Sequence, residues 1–423
     1  MARHFPVRPD LDQLKHQAKD LLRAFRQGDP AGIAELHHHH PKRPEPAAAR
    51  LADAQLALAR SYGLPSWPRL VLACRMTDAI WRDDADAVRE LVSKHPQLLH
   101  EDARGVKGNW GPPMSYAANL GRDRIVTMLR GLGAVDLQFA FDRACLQGKL
   151  DTARRLYAMG ARPAGDAVMG PCETQSGAGL ELVLELGAAI DDGHGDRMAP
   201  VAMVLQTYSR NPPGKHRCLE VLAAHGIDLP DTPPMAVHRG RIDLLERHLQ
   251  RDPALCARTF SHQQIWPPEL GCHADASLAL HGTPLAGATL LHLCVDNDEL
   301  EIARWLLAHG ADANGGAAVD ADGFGGHTAL FGCVVSQPYR TGLRRDDSFA
   351  RLLLDHGADP DVQASLKKRL RFVADETLHE YRDVTPLAWG RLFHDQDWVS
   401  APVVRLLVER GAQEKGHRRP GPS

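Results

Sequence analysis

Three segments of the sequence end in the same way, and this repetition constrains the fold more than any other feature. Leu306-Leu-Ala-His-Gly-Ala311, Leu353-Leu-Asp-His-Gly-Ala358 and Leu406-Leu-Val-Glu-Arg-Gly-Ala412 each lead from a leucine pair to Gly-Ala. Weaker copies end at Gly133, Gly160, Gly187 and Gly226. Apolar residues followed by glycine are typical of a helix that stops in the left-handed conformation. The repetition predicts a stacked array of helical units in which each unit contacts its neighbours.

The segment from Thr289 to Asn314 contains every signal of one such unit. Thr289 is placed to cap a first helix, a second helix follows from Glu301, and Gly310 ends it. Thr385-Pro386 starts the last unit in the same manner, with proline at the first helical position, where its missing N–H costs nothing. His292 stands three residues after the capping threonine, and we interpret it as a hydrogen-bonding residue of the fold.

These motifs resemble those of ankyrin repeats, over roughly four-fifths of the chain. The resemblance implies an all-α ankyrin-repeat solenoid of helix–turn–helix units joined by hairpin or loop fingers. We expect about 8 to 9 units between residues 77 and 413, with a degenerate stretch at 163–200. Residues 1–76 are similar to the helical leader of bacterial ankyrin-repeat proteins, and we expect them to form an N-terminal cap. Residues 414–423 are predicted to be a disordered tail.

Composition limits the classes of partner. A net charge of −3 and a pI near 6.8 give no general attraction to nucleic acid. No apolar run is long enough to span a membrane, and the first residues lack the apolar stretch of a secretory signal. The eight cysteines are spread as small core residues rather than as a disulfide framework. We therefore expect a cytoplasmic monomer.

Enlarged fingers are the best indication of a functional surface, because insertions in repeat proteins map to loops of the binding face. Three successive fingers, at 256–288, 312–327 and 359–384, exceed the usual length. They are expected to lie side by side along the concave groove. Aromatic and arginine side chains in the fingers are candidate anchors for a protein partner. The predicted binding residues are Trp110, Trp266, Phe324, His327, Tyr381 and Arg382. The basic run Lys367-Lys-Arg369 is interpreted as a solvated face.

Two alternatives to a protein-recognition scaffold stay open. One is an enzyme or small-molecule site beneath the C-terminal fingers, in which His327 would act with nearby carboxylates such as Asp320 or Asp322. The other is zinc, because cysteine and histidine recur in the first enlarged finger, although not at a familiar ligand spacing. The residues concerned are Cys256, His262, Cys272, His273 and His281. The sequence itself contains no recognisable catalytic motif and predicts no cofactor, catalytic residue or metal ligand set.

Overall fold

The computed structural model describes residues 3–274, 281–371, 373 and 375–420. Parts of the first and third predicted fingers and the end of the predicted tail therefore lie outside the described residues. The chain forms two compact units, residues 1–163 and residues 164–423. Each is built from successive helix pairs, so the prediction of an all-α repeat fold is confirmed.

Unit 1 contains nine described helices. They are α1 Leu11–Arg26, α2 Pro30–His39, α3 Leu51–Ser61, α4 Trp67–Trp81, α5 Ala85–Lys94, α6 Pro113–Asn119, α7 Asp123–Gly131, α8 Leu137–Leu146 and α9 Leu150–Ala158. The first helices of successive pairs stack, α4 on α6 and α6 on α8, while α5 packs on α7 and α7 on α9. Helices α1, α2 and α3 pack on one another at the N-terminal end, around Phe25 and Leu58.

The predicted limit between the N-terminal cap and the repeats, at residues 76 and 77, falls inside α4. Helix α4 runs without interruption from Trp67 to Trp81 and pairs with α5 as the first helix of a unit. Ser66 caps it by accepting a hydrogen bond from the backbone N–H of Arg69 at 3.3 Å. Helix α4 contacts α3, which precedes it, and also α5 and α6, which follow it. A capping role for the helices before it stays a prediction.

Unit 2 contains fourteen described helices and a small sheet. The helices are α10 Met169–Glu173, α11 Gly177–Glu185, α12 Ala199–Gln206, α13 Pro212–Ala224, α14 Pro233–His238, α15 Ile242–Arg251, α16 His262–Ile265, α17 Leu290–Asn297, α18 Leu300–Ala308, α19 Ala329–Val334, α20 Gln337–Arg340, α21 Ser348–Asp355, α22 Pro386–Leu392 and α23 Ala401–Glu409. Helix α10 packs on α12 and α11 on α13; further along, α14, α17, α19 and α22 stack in succession. The stretch expected to be degenerate holds the five-residue helix α10 and a long connection after α11.

Hydrogen bonds from one repeat to the next explain the Thr-x-x-His pattern at the start of α17. The Nδ1 atom of His292 accepts from the Thr289 backbone N–H at 3.3 Å and lies 2.9 Å from its hydroxyl oxygen. The Nε2 atom of His292 donates to the carbonyl oxygen of His327 at 2.8 Å. This fixes the tautomer and ties α17 to the following finger. Gly310 ends α18 with φ of +90°, a conformation that glycine adopts without steric cost.

The third enlarged finger is a β-hairpin. Strands β1 Ala364–Lys368 and β2 His379–Val384 pair antiparallel, with Leu366 opposite Tyr381 and Lys368 opposite His379. Strand β3, His417–Pro420, pairs with the other edge of β2. The tail therefore differs from its prediction: residues 417–420 are ordered as a strand, because the exposed edge of β2 offers backbone groups that a short segment can satisfy.

All eight cysteines are unpaired, and seven of them are buried. This agrees with the sequence prediction that they serve as small core residues. Among the described residues, no helix is both long enough and apolar enough to cross a membrane.

Candidate functional site

The three enlarged fingers are joined by backbone hydrogen bonds. The N–H of Ala318 donates to the carbonyl oxygen of Gly287 at 2.8 Å, which connects the first and second fingers. The N–H of Gly325 donates to the carbonyl oxygen of Ser365 at 2.7 Å, which connects the second finger to β1. The fingers therefore lie side by side, as the clustering of their insertions predicted.

A pocket of about 360 Å³ opens where these fingers meet. Its described walls are largely apolar, with a few polar and charged side chains, an arrangement typical of small-molecule sites. The apolar residues are Pro284, Leu285, Ala286, Ala318, Phe324, Leu366 and Leu378. The polar and charged ones are His281, Asp320, His327, Ser365, Lys367, Lys368 and Arg369, and Gly325 completes the lining. Two of the predicted binding residues, Phe324 and His327, are among them.

His327 is a neutral, buried imidazole. Its Nε2 lies 2.8 Å from the carbonyl oxygen of Pro284, and since a carbonyl only accepts, Nε2 carries the proton. Burial lowers the pKa of His327 to about 4. In the described part of the chain, Nδ1 has no hydrogen-bond partner, and neither ring nitrogen contacts a carboxylate. The paired histidine and carboxylate expected for an acid–base site is therefore not formed here.

The carboxylate of Asp320 stabilises the turn of the second finger and does not contact the imidazole of His327. One oxygen of its carboxylate accepts from the backbone N–H groups of Asp322 and Phe324, at 3.0 and 2.9 Å. The other lies 2.9 Å from the ammonium of Lys367. An aspartate whose side chain accepts a hydrogen bond from the backbone two residues later commonly stabilises a turn. This role accounts for Asp320 without a catalytic function.

Phe324 is nearly buried, and its ring is covered by a cation. The guanidinium carbon of Arg382 lies 3.6 Å from the ring centroid, and the ammonium of Lys367 lies 4.8 Å from it. Arg382 is also held by Glu380 at 3.2 Å and by the carbonyl oxygen of Asp322 at 3.3 Å. Of the two predicted anchors, the exposed one is therefore Arg382, and Phe324 is its platform.

Two other predicted anchors belong to the core, which corrects the sequence interpretation. Tyr381 is 0% exposed; its hydroxyl lies 2.7 Å from Nδ1 of His394, and its ring meets Trp389 edge to face at 4.6 Å. Trp266 is also buried, and its indole N–H donates to the carbonyl oxygen of Leu205 at 3.3 Å. A side chain without exposed surface cannot contact a partner without rearrangement. Both aromatics stabilise their own loops.

Trp266 nevertheless borders the pocket through His281. The two rings are parallel, with an interplanar angle of 1° and centroids 5.5 Å apart. His281 is buried, and burial lowers its pKa well below the ordinary value, with a smaller effect from the nearby charge of Lys368. Its imidazole is therefore a neutral wall of the pocket at pH 7.

Trp110 belongs to unit 1, whereas the other five predicted binding residues belong to unit 2. Its ring is half-buried and packs 4.9 Å from that of Tyr116. The Tyr116 hydroxyl accepts from the indole N–H of Trp81 and donates to the carbonyl oxygen of Val7, both at 2.7 Å. Trp110 thus covers a hydrogen-bonded aromatic cluster within its own unit.

The cysteines and histidines of the first finger do not form a ligand set within the described residues. His262 Nε2 donates to the carbonyl oxygen of His273 at 2.9 Å, and its ring packs on Trp266 at 4.7 Å. Cys272 is buried, and burial raises the pKa of its thiol to about 12. In the part of the chain that the structure describes, no three histidine, cysteine or acidic side chains are grouped as metal ligands.

Lys368 is the residue of this site that sequence reasoning missed. We interpreted the run Lys367-Lys-Arg369 as a solvated face, but Lys368 is only 5% exposed. Along β1 the side chains of Ala364, Leu366 and Lys368 point to the buried face. Burial lowers the pKa of Lys368 to about 8, although the attraction of Asp296 opposes this shift. Side chains alternate between the buried and the exposed face of a strand, and this alternation is the sequence signal for the burial of Lys368. It can be assigned to particular residues only when the hairpin register is known.

Comparison with known proteins supports the resemblance to ankyrin repeats. The family model named "Ankyrin repeat" matches residues 286–318, the segment that contains α17 and α18. This segment is an ankyrin repeat, so the chain contains a repeat of the kind that its motifs predicted. The chain is also similar to the crystal structure of the human ASB11 ankyrin repeat domain, with 16% identity and a TM-score of 0.25 over 70% of this chain and 97% of that one. A similarity at that level carries no argument about what this chain binds. None of the curated proteins that were compared matches the sequence.

Proposed function

We propose that this protein is a recognition scaffold whose second and third enlarged fingers bind a protein partner. Ankyrin repeats are generally protein–protein interaction modules, and residues 286–318 form one such repeat. We place the contact surface on the tip of the finger that follows it and on the adjoining β-hairpin. On the basis of its composition, we also propose that the protein is a cytoplasmic monomer that does not bind nucleic acid.

The observation that carries the proposal is the Arg382 guanidinium, which is held in place and still accessible. Its side chain is 32% exposed, and Phe324, Glu380 and the Asp322 backbone fix its position. An arginine ordered before binding loses little conformational entropy on contact, and arginines over aromatic rings are frequent hot spots of interfaces. Such a group suits a partner carboxylate, which it can bind through two N–H donors.

An exposed apolar residue lies on the same finger. Val319 is 63% exposed and lies across the finger hairpin from Gly326, where a Cβ atom would be 3.7 Å from one of its methyl groups. Asp322 and Lys367 supply charge of both signs nearby. The complementary partner is therefore a protein segment that presents an apolar side chain to Val319 and a carboxylate to Arg382.

Affinity capture with matched variants tests this function. The purified wild-type protein, Arg382→Ala and Arg304→Ala are each incubated with native cell extract, and the bound proteins are quantified by mass spectrometry. Arg304 is a suitable control because it is an exposed arginine of unit 2, on α18 rather than on an enlarged finger, with one surface ion pair to Glu301. Circular dichroism establishes that all three are equally folded.

We expect one specific partner to be retained by the wild type and by Arg304→Ala, and to fall at least about tenfold with Arg382→Ala, since a hot-spot arginine contributes more than about 1.4 kcal/mol. Equal capture by the wild type and Arg382→Ala would show that the finger surface is not the binding site. If no protein were retained above background by the wild type, the scaffold function itself would lose its support.

A further inference from the structure

The pocket beneath the fingers contains a buried ammonium group without a counter-charge. Lys368 lines the pocket and is more than nine-tenths buried. Within the described part of the chain, its ammonium has neither a hydrogen bond nor an ion pair, because the nearby carboxylate of Asp296 is paired with Arg210 at 2.9 Å. Transfer of an unpaired ammonium from water into a protein interior is costly, and buried charges in proteins are normally paired. The site is therefore electrostatically incomplete as the chain stands.

The other groups that line the pocket do not complete it. His281 and His327 are neutral at pH 7, so they add neither charge. Asp320 is the one acidic side chain among the described lining residues, and it is already engaged by Lys367 and by its own turn. On the strand opposite, His379 is held by Asp375 at 2.9 Å. Arg369, which also lines the pocket, has no ion pair within the described residues, so the unmatched charge is positive and comes from Lys368 and Arg369.

The remaining walls define the rest of the ligand. Leu285, Leu366 and Phe324 present apolar surface to the same space, which favours a body without polar groups. The volume of about 360 Å³ lies near the lower end of the usual range for ligand pockets, roughly 300 to 1,000 Å³. The largely apolar walls favour a ligand with a small charged group such as a carboxylate, because each of the three oxygens of a phosphate would need a hydrogen-bond donor. A molecule with a single ring or a short branched chain fits these limits.

We propose that this pocket binds a small monocarboxylic acid with an apolar body, whose carboxylate pairs with the Lys368 ammonium while the apolar body packs between the fingers. This is a second binding activity, separate from the recognition of a protein at Arg382. The bound acid would also place a counter-charge beneath the hydrogen bonds that join the second finger to β1.

Titration of the full-length protein with matched probes tests the proposal. The probes are benzoate, phenylacetate and 3-phenylpropionate, each paired with its neutral amide, and inorganic phosphate; binding is measured by calorimetry and by saturation-transfer NMR. The variants are Lys368→Met, which keeps the length of the side chain without its charge, and Lys415→Met as the control. Lys415 is an exposed lysine of unit 2 that is not among the residues lining the pocket.

We expect at least one carboxylate to bind at least about tenfold more tightly than its amide, and this preference to disappear in Lys368→Met but not in Lys415→Met. The proposal is wrong if none of the three carboxylates binds at concentrations up to about 10 mM. It is also wrong if Lys368→Met binds them equally, or if phosphate binds as tightly as they do.

A measurement on the wild type alone guards against a variant that does not fold. Lysines are acetylated with limiting acetic anhydride, with and without the tightest-binding probe, and the modification of each is read by mass spectrometry. A carboxylate paired with Lys368 should slow the acetylation of Lys368 several-fold and leave that of Lys415, which is outside the pocket, unchanged. Unchanged acetylation of Lys368 at a saturating probe concentration would place the ligand elsewhere. Neither result depends on Arg382, so the pocket and the protein-binding surface can fail independently.

Discussion

Replacement of Lys368 by methionine should stabilise the protein at neutral pH. Burial lowers the pKa of Lys368 from its ordinary value of 10.5 to about 8. Each pKa unit corresponds to about 1.4 kcal/mol, so an ammonium held at pH 7 costs the folded state about 3 kcal/mol relative to the unfolded chain. Methionine removes this cost and keeps an unbranched side chain in the same space. We expect unfolding of unit 2 to require up to about 3 kcal/mol more in Lys368→Met.

The pH dependence gives the sharper test. Between about pH 8 and 10.5 the unfolded chain binds a proton at Lys368 that the folded protein has lost. The free energy of unfolding of the wild type therefore rises with pH across this window, and the variant should lack this rise. His281 and His327 are already neutral there, and Tyr381, whose pKa burial raises to about 12, is still protonated. The amount by which the free energy of unfolding of Lys368→Met exceeds that of the wild type should thus decrease from pH 7 towards pH 10.

Urea denaturation followed by circular dichroism, at about pH 7 and about pH 9.5, measures both effects. Lys367→Met is the matched control, because this side chain is more exposed and ion-paired, and we expect it to change stability by less than about 1 kcal/mol. A variant Lys368→Met that is less stable than the wild type at pH 7 would refute the reasoning. So would an advantage that stays constant with pH, since it would then come from packing rather than from a removed charge.

Three further substitutions test other parts of unit 2. Glu299→Gln should cost about 3 to 5 kcal/mol in urea denaturation, because the buried ammonium of Lys215, 3.2 Å away, loses its ion pair and keeps only the hydrogen bond to Asn297 at 3.0 Å; a loss below about 1 kcal/mol would contradict this. Tyr381→Phe should cost about 1 to 2 kcal/mol, since the hydroxyl bonded to His394 at 2.7 Å is removed from a buried site, and an unchanged urea midpoint would count against the core role of this tyrosine. Gly325→Ala should increase hydrogen exchange across the second finger, because a Cβ at this φ of +129° would lie 2.2 Å from a backbone carbonyl oxygen; unaltered protection would mean that the finger relaxes without cost.

The helical units were predictable because their signals are local. The capping pair Thr289 and His292, the glycine stop at Gly310 and the leucine pairs before it specify a helix, a turn and a second helix within some thirty residues. These devices satisfy backbone groups of the same segment, so they do not depend on distant contacts. The position of the enlarged fingers was readable for the same reason, from the spacing between units.

The surroundings of the finger side chains were decided by tertiary structure. Whether Tyr381 faces a partner or the core depends on its pairing with Leu366 and on the ring of Trp389, which come from other segments of the chain. Lys368 and Lys367 are chemically identical neighbours, yet the hairpin register buries one and exposes the other. The sequence by itself determined the repeats, because caps and helical periodicity act within a segment. Only the tertiary structure made the pocket and its unpaired lysine, because burial and charge pairing arise between segments that lie far apart in sequence.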